Sequence, residues 1–393
     1  MKTFISFSIF LAFALNFSAQ NNWTKKADFG GSGRLFGVGF SIGSKGYFGT
    51  GFANKIFFKD LWEYNSVTDV WTQKADMTFA RGAAVGFSIG SKGYIGTGLS
   101  EAKERLNDFW EYNPNTNVWT PKAAFAGVER YWATGFSIGS KGYIGTGSIG
   151  DTLNLLKDFW EYDPATDVWT SKAAVGTTSR SSAVGFSIGT KGYIGTGYGN
   201  KNVYLVDFWE YNPANDTWTQ KQDFPGGVGN YAFGFSIGNK GYLGSGDFWE
   251  FDPSKNTWTQ KADIYAQTEG ASGLSIGSKG YLGLGFSLGA SYSKGFWEYT
   301  QTLTSTTEEN LFNENFQVFP NPTKSNVWIK PKSNQTGLYN ISVSNNRGQI
   351  LINSKTDLFN SPFLLKFEEF PNGVYFLKMT DEHGIAVTKI IKE

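Results

Sequence analysis

The sequence predicts an all-β protein: a six-bladed β-propeller closed by an N-terminal strand, followed by a small C-terminal β-sandwich. Three phrases, Ser-Ile-Gly-x-Lys-Gly-Tyr, Trp-Glu-Tyr/Phe and Trp-Thr-x-Lys, each occur six times in fixed order. The repeat of about 50 residues is the size of one supersecondary unit. The units are rich in glycine and aromatic residues and contain frequent turn signals, which favours strands over helices and indicates propeller blades.

The first Trp-Thr-x-Lys phrase predicts that the blades close into a ring. Trp23 precedes the first complete unit, whereas the sixth unit ends at Tyr299 without a copy of this phrase. An N-terminal strand can therefore supply the outer strand that the last unit lacks, and an open solenoid would gain nothing from this offset. We expect Asn22 to Phe29 to be the closing strand of the unit that contains Trp297.

Each unit predicts four antiparallel strands. In the second unit they run from about Ala83 to Ile89, Tyr94 to Gly98 and Phe109 to Tyr112, and the fourth starts at Val118. Glycine and Asn-Pro turns separate them. Small residues in the first strands suit a crowded axis, and we expect the aromatic residues further out, such as Trp119, to pack between blades.

Composition excludes several classes of function. The formal net charge is +1 and no block of Lys or Arg is present, so we expect neither nucleic acid nor an anionic membrane surface as a partner. The chain has no cysteine, and its one histidine is His383. Thiol chemistry, His-ligated metals and Ser-His-Asp catalysis are therefore unavailable to the repeats, and we expect no metal and no cofactor.

The N-terminus predicts export. Met1-Lys2-Thr3 precedes an apolar run from Phe4 to Leu15, and Ser18-Ala19-Gln20 follows, which is typical of a signal peptide. The run is too short for a membrane anchor, so we expect no membrane-spanning segment in the mature chain. The predicted domains are a signal peptide (1–20), the propeller (21–299), a polar linker (300–314) and a C-terminal domain (315–393).

The repeat unit resembles the Kelch repeat. The resemblance rests on an arginine before a small-residue strand, a glycine-rich second strand and the phrase Asp-x-Trp-Glu-Tyr followed by a proline turn, and it covers Asn21 to Tyr299. The usual Gly-Gly doublet is here Gly-Thr-Gly, as at Gly96-Thr97-Gly98. The resemblance implies that the loops between second and third strands and between fourth and first strands emerge on one face, the loop face, and that the arginine position lies near the mouth of a central channel.

Four phrases near the C-terminus resemble the C-terminal sorting domain of the type IX secretion system of Bacteroidota. They are Phe319-Pro320-Asn321-Pro322, Asn346-Arg347-Gly348-Gln349, Pro371-Asn372-Gly373-Val374-Tyr375 and Lys389-Ile390-Ile391-Lys392. The resemblance implies the type IX machinery as a partner and a secreted or outer-membrane surface location. Alternating hydrophobic residues in this region predict a small sandwich, with strands at Val327–Ile329, Tyr339–Val343, Gln349–Ile352, Val374–Leu377 and Ala386–Ile390.

Arginines and aromatic residues near the channel mouth are the candidate ligand-binding residues. Arg34, Arg81, Arg130 and Arg180 occupy one equivalent position in the first four units. Their guanidiniums could converge on a carboxylate or an acidic sugar; alternatively, each caps its own blade through backbone carbonyls. Aromatic residues accompany them at Phe36, Tyr131, Trp132, Tyr231 and Phe233.

Among these aromatic residues, Trp132 is the one propeller tryptophan outside the repeating phrases, so blade architecture does not require it. We predict that Tyr131, Trp132 and Tyr231, together with the four arginines, form a binding platform. The glutamates of Trp-Glu-Tyr recur in every unit, which indicates a structural role with the lysines of Trp-Thr-x-Lys as ion partners. We assign no catalytic residue.

The resulting hypothesis is a secreted or surface-displayed propeller without catalytic activity that binds a glycan or a protein through its loop face. One alternative is a Kelch-type sugar mutarotase or epimerase for an acidic sugar, with Arg81, Arg130, Arg180 and Glu269 around the channel mouth, because acid–base chemistry needs neither histidine nor cysteine. A second alternative is a matrix or adhesion component without a small ligand.

Overall fold

The computed structural model describes residues 22–150, 154–200, 203–227, 231–264, 269–287, 291–301, 316–332, 338–345, 349–357, 362–380 and 385–393. The chain divides into two compact units, 21–301 and a unit that includes 302–393. The described residues contain no α-helix, and none of them forms a helix able to cross a membrane. The predicted signal peptide, most of the predicted linker and His383 lie outside the described residues.

Residues 22–301 form a regular succession of short strands. In chain order these are β1 (Asn22–Lys25), β2 (Val38–Ile42), β3 (Lys45–Gly49), β4 (Phe52–Ala53), β5 (Ile56–Phe57), β6 (Leu61–Asn65), β7 (Val70–Lys74), β8 (Arg81–Gly82), β9 (Val85–Ile89), β10 (Lys92–Gly96), β11 (Leu99–Ser100), β12 (Phe109–Asn113), β13 (Val118–Lys122), β14 (Thr134–Ile138), β15 (Lys141–Gly145), β16 (Phe159–Asp163) and β17 (Val168–Lys172). They continue as β18 (Arg180–Ser181), β19 (Val184–Ile188), β20 (Lys191–Gly195), β21 (Tyr198–Gly199), β22 (Val203–Tyr204), β23 (Phe208–Asn212), β24 (Thr217–Lys221), β25 (Phe233–Ile237), β26 (Lys240–Gly244), β27 (Phe248–Asp252), β28 (Thr257–Gln260), β29 (Ser272–Ile276), β30 (Lys279–Gly283), β31 (Phe286–Ser287), β32 (Ser291–Tyr292) and β33 (Phe296–Thr300).

The longer strands pair into four-stranded antiparallel sheets, one for each sequence unit. Their orders are β2-β3-β6-β7, β9-β10-β12-β13, β14-β15-β16-β17, β19-β20-β23-β24, β25-β26-β27-β28 and β29-β30-β33-β1. The two-residue strands form small hairpins in the loops, for example β4 with β5 and β21 with β22. The predicted all-β fold is confirmed, and the strands of the second unit differ from the predicted bounds by no more than two residues.

The N-terminal strand belongs to the sheet of the last unit. β1 pairs antiparallel with β33, with Trp23 opposite Tyr299 and Lys25 opposite Trp297. The strand is shorter than expected, because it ends at Lys25 while Phe29 is buried against Trp62 and Trp71. The first strands of successive sheets contact one another in order, and β2 of the first sheet also contacts β29 of the last.

The tryptophans of the Trp-Thr-x-Lys phrase tie each sheet to the chain segment that ends the preceding sheet. Each indole Nε1–H donates a hydrogen bond to a backbone carbonyl. The pairs are Trp23 to Ala262, Trp71 to Ala27, Trp119 to Ala75, Trp169 to Ala123, Trp218 to Ala173 and Trp258 to Gln222, at 2.9–3.2 Å. The rings also pack between sheets: Trp169 of the third sheet lies 5.0 Å from Phe109 of the second.

The Lys-Gly-Tyr phrase is explained by packing between adjacent sheets. A Cβ atom on Gly93 would clash with the ring of Phe40 in the preceding sheet, so only glycine allows the two sheets to approach. The following residue, Tyr94, donates a hydrogen bond of 2.9 Å to Glu111 on the adjacent strand. The recurring glutamates therefore serve the blades; Lys172, for example, lies 3.4 Å from Glu161.

The C-terminal unit contains two antiparallel sheets. Its strands are β34 (Phe316–Phe319), β35 (Val327–Pro331), β36 (Leu338–Asn345), β37 (Ile350–Asp357), β38 (Phe363–Leu365), β39 (Gly373–Thr380) and β40 (Ile385–Lys392). The sheet orders are β34-β35-β38 and β37-β36-β39-β40. Residues from both sheets, including Val327, Ile341, Leu377 and Ile390, form one buried core.

The first and last of the four signature phrases of this unit are joined by hydrogen bonds. The Asn321 side chain donates to the carbonyl of Lys389 at 2.7 Å and accepts from the N–H of Ile391 at 2.9 Å. The buried ammonium of Lys392 donates to the carbonyls of Phe367, Glu368 and Phe370 at 2.6–2.9 Å. This network fastens β40, the last strand of the chain.

Candidate functional site

Six equivalent residues, the axial residues, precede the first strands of the six units. They are Phe36, Ala83, Trp132, Ser182, Tyr231 and Gly270, and all have a left-handed backbone with φ between 51° and 65°. Backbone N–H groups link them: Phe36 donates to Gly270, Ala83 to Phe36, Trp132 to Ala83 and Ser182 to Trp132, at 2.9–3.1 Å. The axial residues therefore lie around a common centre.

The axial residues alternate between large and small along the chain. Phe36, Trp132 and Tyr231 come from the first, third and fifth units, and their ring centroids lie 4.4, 5.7 and 6.1 Å apart. Ala83, Ser182 and Gly270 occupy the positions between them. A cavity of about 120 Å³ among the axial residues is also lined by the small residues that follow them, Gly37, Ala84, Ala133, Ala183, Ala232 and Ala271.

A larger cavity of about 330 Å³, the aromatic pocket, opens beside the axial residues. Its lining residues are Tyr131, Trp132, Ser148, Gly150, Leu155, Ser181, Ser182, Tyr198, Tyr204 and Tyr231. They come from the segments before the first strands of three units and from two loops between second and third strands. The ring centroids of Tyr131 and Trp132 lie 4.7 Å apart, and those of Tyr198 and Tyr204 lie 5.4 Å apart.

Local pairing positions the two loops of the aromatic pocket. β21 pairs with both β18 and β22, which places Tyr198 opposite Ser181 and Tyr204. In the neighbouring loop, Ser148 bridges to Tyr131 and to Leu155, and the Tyr131 hydroxyl donates to the carbonyl of Gly150. Side chains that are distant in sequence therefore face one cavity.

The aromatic pocket is lined by aromatic rings and hydroxyl groups and carries no charge on its described lining residues. Burial, followed by the negative charge of Glu269, raises the pKa of Tyr231 to about 12, so this hydroxyl stays protonated at neutral pH. The Nε1–H of Trp132 is buried and has no hydrogen-bond partner among the described residues. The site thus combines aromatic faces, neutral hydroxyls and an unused donor.

The four predicted arginines are buried in their own units, with no exposed side-chain surface. Each binds one aspartate through both guanidinium nitrogens: Arg34 binds Asp60, Arg81 binds Asp108, Arg130 binds Asp158 and Arg180 binds Asp207. Each also donates to the carbonyl of a threonine in the Gly-Thr-Gly phrase, at 2.9–3.2 Å.

The arginine part of the predicted binding platform is therefore revised. A guanidinium that is fully buried and whose charge is already paired with an aspartate is not exposed to an acidic ligand. The same aspartates accept hydrogen bonds from Trp62, Trp110, Trp160 and Trp209 at 2.6–2.8 Å. The arginines thus hold the loop segments in place, as in the alternative in which each caps its own blade.

These ion pairs lower the pKa values of two of the aspartates. Burial alone would raise the pKa of Asp108 and of Asp207, but the hydrogen bonds and charge of Arg81 and Arg180 outweigh it and lower both pKa values.

The fifth unit keeps the aspartate, Asp247, but has glycine at the arginine position. There the Oδ1 atom of Asp247 is buried without a hydrogen-bond partner among the described residues.

The other sequence candidates fall into three groups. Tyr131, Trp132 and Tyr231 lie together in the aromatic pocket, and Phe36 contacts two of them. Phe233 lies in the core of the fifth sheet, packed against Phe248 and Trp23, and does not line the aromatic pocket. Glu269 is exposed and pairs through its backbone with Phe286.

Sequence reasoning missed Tyr198 and Tyr204, which complete the aromatic pocket. Both lie in a variable loop between second and third strands. We expected the loops on this face to bind a ligand, but the sequence singled out no residue within this loop. The only available signal was the presence of two tyrosines in one variable loop. A loop without periodicity gives no indication of which side chains face inward.

The comparisons with known proteins address the fold and the C-terminal unit. Residues 317–393 match the family model described as a secretion system C-terminal sorting domain. The chain thus carries a type IX sorting domain, is handled by the type IX secretion machinery and is exported to the cell surface or the extracellular space. No curated protein matches the chain.

A likeness to solved structures concerns the propeller unit. The structure of YjhT matches with a TM-score of 0.60 and 14% sequence identity, and the match covers 70% of this chain and 95% of that chain. At this identity the likeness shows the fold alone, an all-β, propeller-like architecture. It assigns no ligand to the aromatic pocket.

Proposed function

We propose that residues 21–299 form a six-bladed Kelch-type β-propeller that is delivered outside the cell of a member of the Bacteroidota and binds a glycan or a protein there in the aromatic pocket. Residues 300–314 would link the propeller to the sorting domain at 315–393, and residues 1–20 would direct the first export step. The propeller itself has no catalytic role in this proposal.

Contacts between sheets support the ring. Six four-stranded sheets follow six sequence units, β1 completes the last sheet, and β2 contacts β29. The Trp23 hydrogen bond to Ala262 and the Phe36 hydrogen bond to Gly270 join the two ends of the repeat region. An open array would leave the first and last sheets without these partners.

The observation that carries the binding proposal is the convergence of five aromatic side chains from three units on one cavity of about 330 Å³. A volume of this order is typical of small-molecule sites, which are concave, largely apolar and supplied with a few polar groups. The lining loops vary between units, and loops on a rigid scaffold are the usual carriers of binding function.

A binding screen with matched variants tests the proposal. The purified protein, Trp132→Ala and Phe79→Ala are applied to a glycan array and to purified outer-membrane proteins. Phe79 is a suitable control because it is an aromatic residue outside the pocket and 57% exposed. We expect ligands that bind the wild type and Phe79→Ala but not Trp132→Ala; ligands retained by both variants would place the site elsewhere.

The mutarotase alternative is tested in the same preparation. It needs a free acid and base near the sugar, but Arg81, Arg130 and Arg180 are paired and buried, and Glu269 is outside the described pocket lining. We expect no acceleration of mutarotation for neutral or acidic sugars. Acceleration that disappears in Glu269→Gln would establish the alternative in place of simple binding.

A further inference from the structure

The size of the axial side chains, and not their backbone conformation, distinguishes Trp132 and Tyr231. A left-handed backbone costs a residue with a side chain about 1–2 kcal/mol, but all six axial residues adopt it, including Ala83 and Ser182, so it belongs to the repeated architecture. Trp132 and Tyr231 place large aromatic rings at a position that Ala83 and Ser182 fill with small side chains, and both rings line the aromatic pocket.

The charge distribution limits the chemistry of that ligand. An acidic sugar or peptide would need a cation, but the nearby guanidiniums of Arg130 and Arg180 are neutralised by Asp158 and Asp207. No described lining residue is charged. The charged neighbour that acts on Tyr231 is the carboxylate of Glu269, which repels anions.

The distribution of polar atoms matches a sugar. A pyranose ring has an apolar C–H face that packs on an aromatic ring and a rim of hydroxyls that both donate and accept hydrogen bonds. The pocket is lined by the rings of Trp132 and Tyr131 and by the hydroxyl-bearing residues Ser181 and Ser182. The buried Nε1–H of Trp132 lacks an acceptor, and a buried donor left unpaired costs about 1–3 kcal/mol.

From these observations we infer that the aromatic pocket binds one or two sugar residues of an uncharged glycan, with Trp132 as the stacking platform and its Nε1–H as a donor to a sugar hydroxyl. This inference rests on the proposed function and narrows its ligand to one class. The cavity, at the small end of the range for ligand sites, suits the end or a short segment of a chain.

Titration calorimetry on the full purified protein tests the inference. The probes are neutral hexasaccharides of glucose, mannose, xylose and N-acetylglucosamine, with a hexagalacturonate as the acidic counterpart of equal length. We expect at least one neutral probe to bind and the uronate to bind at least about tenfold more weakly, equivalent to 1.4 kcal/mol.

Two substitutions at one position separate stacking from hydrogen bonding. Trp132→Ala removes both and should weaken binding of the neutral probe about tenfold or more. Trp132→Phe keeps an aromatic face but removes the donor, so the loss should be smaller, about threefold to tenfold. Phe79→Ala should bind as the wild type does, and near-identical circular dichroism spectra would show that each variant is folded.

The outcomes distinguish this inference from the proposed function. Binding of the uronate as tight as that of the neutral probes, or no neutral binding up to millimolar concentration, overturns the sugar assignment. If Trp132→Ala abolishes binding of a protein ligand in the screen instead, the pocket is functional but its ligand is a protein. If Trp132→Ala leaves every bound ligand unaffected, both proposals fail.

Discussion

The closing strand offers a direct test of the ring, because its tryptophan has a matched counterpart inside the chain. Trp23 lies 5.0 Å from Phe248 and 5.1 Å from Tyr299, and donates a hydrogen bond to Ala262. Trp218 lies 5.0 Å from both Phe159 and Tyr211 and donates to a carbonyl of the preceding unit. Replacing either tryptophan by alanine removes an indole hydrogen bond and two close aromatic contacts of the same kind.

The size of the effect follows from these contacts. Truncating a fully buried tryptophan costs about 3–5 kcal/mol. Both indoles are only partly buried, which reduces this term to about 2 kcal/mol, and the lost Nε1–H bond adds about 1 kcal/mol. In a closed ring the N-terminal strand unfolds with the rest, so Trp23→Ala and Trp218→Ala should each lower the free energy of unfolding by about 3 kcal/mol.

Urea unfolding followed by far-ultraviolet circular dichroism measures this difference. With an m-value of about 3 kcal/mol/M, both midpoints should fall by about 1 M. The sorting domain is the same in both variants, so its transition serves as an internal reference. In an open array a terminal strand frays alone; an unchanged midpoint in Trp23→Ala beside a lowered one in Trp218→Ala would therefore refute the ring.

Two further predictions concern buried charges. The pKa values of Asp108 and Asp207 are lowered in the folded state, so the stabilisation from these ion pairs is complete above the unfolded pKa of about 4 and is lost as the pH falls through the folded pKa values. The urea concentration at the unfolding midpoint should therefore stay constant from pH 7 to about pH 5 and fall below about pH 4. The Asp207→Asn variant lacks one of these carboxylates and should show a smaller change on acidification. Lys392→Met should leave three carbonyls without their donor and destabilise the sorting domain by about 2 kcal/mol, which should reduce the secreted fraction of the protein on immunoblots. The control variant Lys378→Met, at an exposed site on β39, should be secreted normally. Equal secretion of both variants would contradict the structural role of Lys392.

The sequence predicted the strands well because each unit repeats the same local constraints. The glycine of Lys-Gly-Tyr admits a phenylalanine of the preceding sheet, as Gly93 admits Phe40, and six copies make such a signal strong. The strands β34 and β38 of the sorting domain were missed. Each is short and occurs once, so no repetition distinguished it from a loop.

The candidate site was only partly predictable. The arginines were interpreted as ligand residues because their partners lie far along the chain; Arg81 and Asp108, for example, are 27 residues apart. A clue was present, since the first four units carry both the arginine and the aspartate of Asp-x-Trp. Trp132 stood out because it breaks the repeat, whereas Tyr198 and Tyr204 lie in a loop that has no repeat to break.

The pairing of β1 with β33 also has a consequence for the order of folding. Asn22 and Thr300 are backbone partners across that pair, so the first strand finds its neighbour only after nearly the whole propeller has been synthesised. Contacts between such distant segments form late, because a long loop must be closed before they are gained. Until β33 has been synthesised, the last sheet of the propeller is incomplete, and only the residues from 301 onwards remain to be made.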